Sequence, residues 1–284
     1  MTKAFTKSPI FFICIILLCF SLCACSNEAQ KDDGNSGAPD TEEKEAQAEG
    51  NATEPQQTTA SPDESELPTA ADESFKRVAF TFDDGPHNEL TKKIIDTLAE
   101  YDAHATFFVV GNRINEKTAE VLKYAASKGN EIGMHSFTHS QMFDECDDTT
   151  YEREVKYTKN NLVSYVGVTP TLLRPPGGLM SAERVSSSQY PVILWSVDSE
   201  DWKHKKATSE AEITQNVQTI VDNVLSNIDD GDIVLMHDIY ENTYQAFSIL
   251  INTLYDEGFR LVTVSELLGD SIKSGAKFHS VTLQ

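Results

Sequence analysis

The sequence predicts an α/β fold in which about seven parallel strands alternate with helices and curl into a barrel. Three observations predict it. From Lys76 onward the 284-residue chain changes texture, with short apolar runs separated by longer amphipathic ones, the pattern of strand and helix units. Nearly every short run is followed by one at helical spacing, which favours a barrel over an open sheet, although periodicity alone does not close it. The unusual polar residues also fall at the ends of the short runs, as they do on one rim of a parallel barrel.

The strands are expected in order at Arg77–Phe82, Ala105–Val110, Glu131–His135, Thr171–Arg174, Val192–Val197, Ile233–His237 and Arg260–Thr263. After the first, Leu90, Ile94, Ile95 and Leu98 recur with the spacing of one helix face. After the second the same spacing joins Val121, Leu122 and Ala125, and after the third Val155, Leu162 and Val163. Ile213, Val217, Ile220, Val221 and Val224 form the stripe after the fifth, and Phe247, Leu250, Ile251 and Leu254 the one after the sixth. No internal repeat and no glycine-rich phosphate loop interrupts the series.

The segments before Lys76 belong to other classes. Residues 1–25 open with Lys3 and Lys7, run apolar from Ile10 to Leu22 and end in small residues, a secretory signal pattern shorter than the ~20 residues of a spanning helix. Leu22-Cys23-Ala24-Cys25-Ser26 resembles a bacterial lipobox, which makes Cys25 the expected lipidated residue and membrane anchor. Cys23 departs from the small or aliphatic residue usual at its position. Residues 26–75 carry fourteen Asp or Glu against two Lys and almost nothing apolar larger than Ala, so they read as a disordered acidic linker. Residues 76–284 remain as the folded domain.

Charge and cysteines narrow the function. With leader and linker set aside from the total of −22, the domain retains −12, which excludes a basic face for nucleic acid. Cys146 is the one cysteine downstream of the leader, so an exported domain would have to be held by its core without disulfides. The acids around it, Asp144, Glu145, Asp147 and Asp148, discourage thiolate chemistry. Oligomeric state is open, with a monomer expected.

Chemistry concentrates at strand ends. Asp83 and Asp84 follow the first strand, His135 the third, Arg174 the fourth, Asp198 and Asp201 the fifth, and His237 the sixth. Two adjacent carboxylates facing one space repel unless a cation or an arginine accepts one of them, and the chain offers both kinds of partner. His135 and His139, four apart, would present two imidazoles from one side of a helical turn. With Asp84 as third ligand they leave open positions on a metal, as catalytic sites do. Zn²⁺ is the first expectation for that donor set, with Co²⁺, Ni²⁺ or Mn²⁺ able to occupy it. Asp198 and Asp238 adjoin these positions and read equally well as capping or network residues.

Five ordered segments then carry a resemblance: Thr81-Phe82-Asp83-Asp84-Gly85-Pro86, His135-Ser136-Phe137-Thr138-His139, Arg174-Pro175-Pro176-Gly177, Asp198-Ser199-Glu200-Asp201-Trp202 and Leu235-Met236-His237. Together, across about Lys76 to Leu268, they resemble the motifs of the polysaccharide deacetylase family, the NodB-homology domain of carbohydrate esterase family four. The resemblance implies a distorted (β/α) barrel that hydrolyses acetyl groups from N-acetylated sugars. It implies Asp83 as general base, Asp84, His135 and His139 as metal ligands, and Arg174 as the residue that orients Asp83. It further implies His237 as general acid with Asp201 favouring its charged form, and Trp202 and Leu235 as walls of the acetyl pocket. Gly177 stands where many members carry an aromatic residue. Its backbone N–H can still serve an oxyanion, while the missing side chain opens one wall of the groove.

These expectations combine into an exported, membrane-tethered deacetylase of a cell-envelope polysaccharide, peptidoglycan amino sugars first. About 50 flexible residues give a reach of about 40 Å from the membrane. Chitin-type oligomers, an exopolysaccharide and O-acetylated xylan are the alternative substrates. A non-catalytic sugar-binding lipoprotein would lack the base, a ligand or the acid, and none is missing. An iron-dependent oxygenase shares the two-His, one-carboxylate triad but explains neither Asp83 nor His237.

Overall fold

In the structure, a computed structural model, residues 75–281 are described. The signal pattern, Cys25 and the acidic linker lie outside the described residues. The elements run in the order β1 (Lys76–Asp83), α1 (Leu90–Glu100), β2 (Thr106–Val109), α2 (Glu116–Ser127), β3 (Glu131–Met134), α3 (Asp148–Asn161), α4 (Ala182–Ser187), β4 (Val192–Ile193), β5 (Val197–Asp198), α5 (Glu210–Leu225), β6 (Ile233–His237), α6 (Glu241–Asp256), β7 (Phe259–Leu261), α7 (Val264–Leu268) and β8 (Lys277–Phe278).

All named strand pairs are parallel, and β1 is the central stave. Along one edge it pairs with β6, and along the other with β7 at Lys76–Val78 and β2 at Thr81–Asp83. The sheet runs β3-β2-β1-β6-β5, and single bridges from Met134 to Leu173 and from Leu173 to Val192 carry it from β3 to β4. Since β4 leads within three residues into β5, which pairs with β6, the circuit closes as a distorted barrel.

Two expected strands are altered, and one residue explains much of it. The run Val192–Val197 breaks into β4 and β5 because Arg174 takes the intervening carbonyls, donating Nε to Ile193 O at 3.1 Å and Nη2 to Leu194 O at 2.8 Å. The run Thr171–Arg174 contracts to the bridges of Leu173, hemmed by Pro170, Pro175 and Pro176, which lack ladder donors. Val163, expected on a buried face, is 45% exposed, because α3 ends at Asn161 and the chain widens into a π-turn over Leu162–Val166. β8, two residues paired with β4, is too short to show any alternation in sequence.

Residues Val78 to Asp83 of β1 are buried on both faces, as a strand covered by helices and barrel interior must be. The period of two sorts them. Val78, Phe80 and Phe82 pack outward on the helices, where Phe82 stacks on Phe107 at 5.3 Å and meets Phe247 edge-on at 5.2 Å. Ala79 points inward with Phe108, Leu172, Ile193 and Ile233, and Val264, Leu267 and Leu268 of α7 join that inner cluster. α7 is tied to the start of β2 by its Val264 N–H on Thr106 Oγ1, so the strand ends opposite remain free to carry chemistry.

Candidate active site

The inward alternation of β1 brings Thr81 and then Asp83 above the apolar interior. Beyond Asp83 the backbone turns sharply, with Asp84 at φ 74°. Ser136, His139 and Glu200 also have left-handed φ between 57° and 58°, so most of the non-glycine residues in that region gather at this rim. The expected helical turn over 135–139 is not formed. A loop takes its place, in which Ser136 Oγ accepts the His139 N–H at 3.0 Å and the Glu154 carboxylate of α3 accepts the N–H groups of Phe137 and Thr138, each at 2.8 Å. That loop still brings the two imidazoles together, with ring centroids 5.0 Å apart.

Asp84, His135 and His139 converge, one ligand atom from each lying within 4.8 Å of the others. Asp84 Oδ1 is 3.0 Å from His139 Nε2 and 3.7 Å from His135 Nε2. It is buried, and despite the close His139 contact no N–H is aimed at it well enough to make a hydrogen bond. His135 Nδ1 sits 2.9 Å from the Arg174 carbonyl oxygen, which can only accept, so the ring carries its proton there and turns the Nε2 lone pair to Asp84. Burial lowers the His135 pKa and favours that neutral ring. Contact with the Asp84 carboxylate raises His139. Burial pushes Asp84 up, yet the His139 contact and the neighbouring imidazoles, charged His237 among them, hold it well below the usual carboxylate range. An orphaned carboxylate oxygen facing an imidazole lone pair fits a divalent cation better than a hydrogen-bond network.

Asp83 and Arg174 form a buried pair, Nη1 to Oδ1 at 2.8 Å. The contact is a single bond rather than a fork, because the other guanidinium nitrogens serve the two carbonyls above and Nη1 also donates to Thr81 Oγ1 at 2.6 Å. Arg174 is fully buried against the Phe108 ring, 4.2 Å from its centroid, and that burial lowers its pKa. The second Asp83 oxygen faces His135 Nε2 at 3.6 Å, beside the triad.

At the end of β6, His237 Nδ1 meets Asp201 Oδ1 at 2.7 Å, and Asp201 Oδ2 accepts the His237 N–H and the Thr243 hydroxyl, both at 2.7 Å. Burial works against a charged His237, but the charge and hydrogen bond of Asp201, with the charges of Asp83 and Asp84, outweigh it and raise the pKa to about 9. Leu235 is buried two residues before His237 on the same face of β6, whereas Trp202, next to Asp201, is 44% exposed. Gly177 lies in an exposed turn at φ 63°, and its N–H has no acceptor among the described residues. A Cβ there would meet only Gln141 Oε1, at 3.9 Å.

Several contributors escape sequence reasoning. Glu154 shares the inward face of α3 with Tyr151 and Thr158, and an acid among them was the available signal. Asp238, named from the sequence as a capping or network residue, is fully buried beneath Gly85, accepts from Thr91 Oγ1, keeps Oδ1 unpartnered and is raised by burial to about 7. Arg113, which donates to the Asp84 carbonyl, and Tyr240, whose ring lies 5.9 Å from that of His237, left no signal in the pattern. Cys146 is partly buried with its thiol pKa raised, first by burial.

Residues 70–190 match the family described as polysaccharide deacetylase. The chain is 33% identical over 217 residues to the peptidoglycan-N-acetylglucosamine deacetylase PgdA of Listeria monocytogenes, covering 76% of this chain and 44% of that protein. It is 38% identical over 196 residues to the peptidoglycan-N-acetylmuramic acid deacetylase PdaC of Bacillus subtilis, covering 69% and 39%. The chain thus spans less than half the length of these two relatives. A solved family 4 acetyl xylan esterase from Clostridium thermocellum, in complex with a cobalt ion, superposes with a TM-score of 0.65 at 30% identity, over 73% of this chain and all of that one.

Proposed function

The chain belongs to the polysaccharide deacetylase family, and we propose that it removes N-acetyl groups from a cell-envelope glycan, peptidoglycan amino sugars first. The observation that carries this reading is the joint presence of an Arg174-held carboxylate, a cation-ready triad and an Asp201-charged imidazole around one rim. A divalent cation held by Asp84, His135 and His139, with Zn²⁺ the best match to the donors, would acidify water and polarise the acetyl carbonyl.

The chain's own groups supply the rest. Asp83 takes the proton of the attacking water, held in place by Arg174. The Gly177 N–H, without an acceptor among the described residues, would serve the charge that develops on the carbonyl oxygen. His237, charged at neutral pH through Asp201, gives its proton to the departing amine. Leu235 and Trp202 wall the acetyl methyl. The reading extends to location: cleavage before Cys25 and its lipidation would tether the domain to the outer face of a bacterial membrane, with residues 26–75 as spacer.

Likeness to an acetyl xylan esterase supports O-acetylated xylan as the second reading. Incubating the full chain with peptidoglycan, N-acetylglucosamine oligomers and acetylated xylan, and measuring acetate, separates the two. Acetate from the amino-sugar polymers is expected. Release from xylan alone overturns the N-acetyl assignment, and release from none overturns the hydrolase.

A further inference from the structure

We infer that Arg113 recognises a carboxylate on the substrate, so that the site takes an amino sugar whose C3 ether bears an acid, as in N-acetylmuramic acid, in preference to a neutral one. The inference rests on the deacetylase reading and deepens it. Arg113 ends the turn Gly111–Arg113 after β2, between the strand ends that supply Asp84 and His135. Its guanidinium makes one side-chain hydrogen bond, to the Asp84 carbonyl, and has no carboxylate partner among the described residues. The side chain is exposed, and its hydrogen bond to the backbone of Asp84 holds it at the rim beside the triad.

The chemistry of the sugar matches this placement. The scissile acetamide sits on C2, and in a muramic-type sugar the neighbouring C3 carries a short ether ending in a carboxylate. With the acetyl group at the triad, that carboxylate falls on the rim a few ångströms away, where a guanidinium with free N–H donors can bind it in a fork.

The test uses the full chain, glycan strands stripped of their peptides so that the ether carboxylates are free, and neutral N-acetylglucosamine oligomers. For Arg113→Gln, KM on the stripped strands should rise about tenfold more than KM on neutral oligomers, and Arg113→Lys should recover part of the difference. Raising salt should weaken the wild type on stripped strands toward the variant. Equal losses on both substrates, a loss confined to kcat, or no loss on either overturns the inference. Calorimetric binding of the stripped strands is read in parallel. If the wild type releases no acetate from either glycan the deacetylase reading falls, while an Arg113-dependent Kd still decides this one.

Discussion

Replacing Asp201 with Asn tests how the acid half of the site is made. The substitution keeps size, turns one accepting oxygen into a donor and removes the charge 2.7 Å from His237 Nδ1. His237 stands at about 9 against an ordinary 6.5, and Asp201 is the largest influence raising it. Without that charge the imidazole falls back to the ordinary value or below, because burial then acts against it. At pH 8 a group titrating near 9 is about 90% protonated and one near 6.5 about 3%, a loss of about 30-fold in competent acid. At pH 6 the same comparison gives less than about a twofold loss. The kcat/KM for acetate release, followed from pH 5.5 to 9, should therefore show a deficit that widens steeply with pH. A deficit of the same size at every pH would refute the claim that Asp201 acts through His237 protonation.

Arg174→Ala should destabilise the fold by about 3–5 kcal/mol in denaturant melts, since it strands buried Asp83 and removes the partner of two buried carbonyls. A change under about 1 kcal/mol would contradict that network. Asp238 is an acid raised by burial, so the unfolded chain ionises first, near 3.8, and the folded one at about 7. Stability attributable to it falls as pH rises through that window, and Asp238→Asn should flatten the slope of Tm between pH 4 and 7. Glu154→Ala releases the N–H groups of Phe137 and Thr138, and should weaken metal affinity by about 10- to 100-fold while the circular dichroism spectrum stays unchanged.

Much of this was legible because the strand ends are punctuated by charge. Asp83, Asp84, His135, Arg174, Asp201 and His237 are all polar residues terminating apolar runs, and such residues are rarely core. The barrel's distortion was not legible, because it comes from Arg174 drawing on the carbonyls of Ile193 and Leu194, a contact between distant segments that leaves no local pattern. The geometry of 135–139 was misjudged for a related reason. Four-residue spacing suits a helix, but the left-handed Ser136 and His139 are fixed by Glu154 from another element. Arg113 differs from an ordinary surface residue only in what stands next to it.

The central claim, that this rim is a cation-assisted amide hydrolase site, is tested most directly by acetate release from peptidoglycan by the full chain before and after chelation. Release should vanish with chelator, return on adding Zn²⁺ or Co²⁺, and be lost in Asp83→Asn even when the metal is supplied. Acetate release that survives both the chelator and the Asp83 substitution would contradict it.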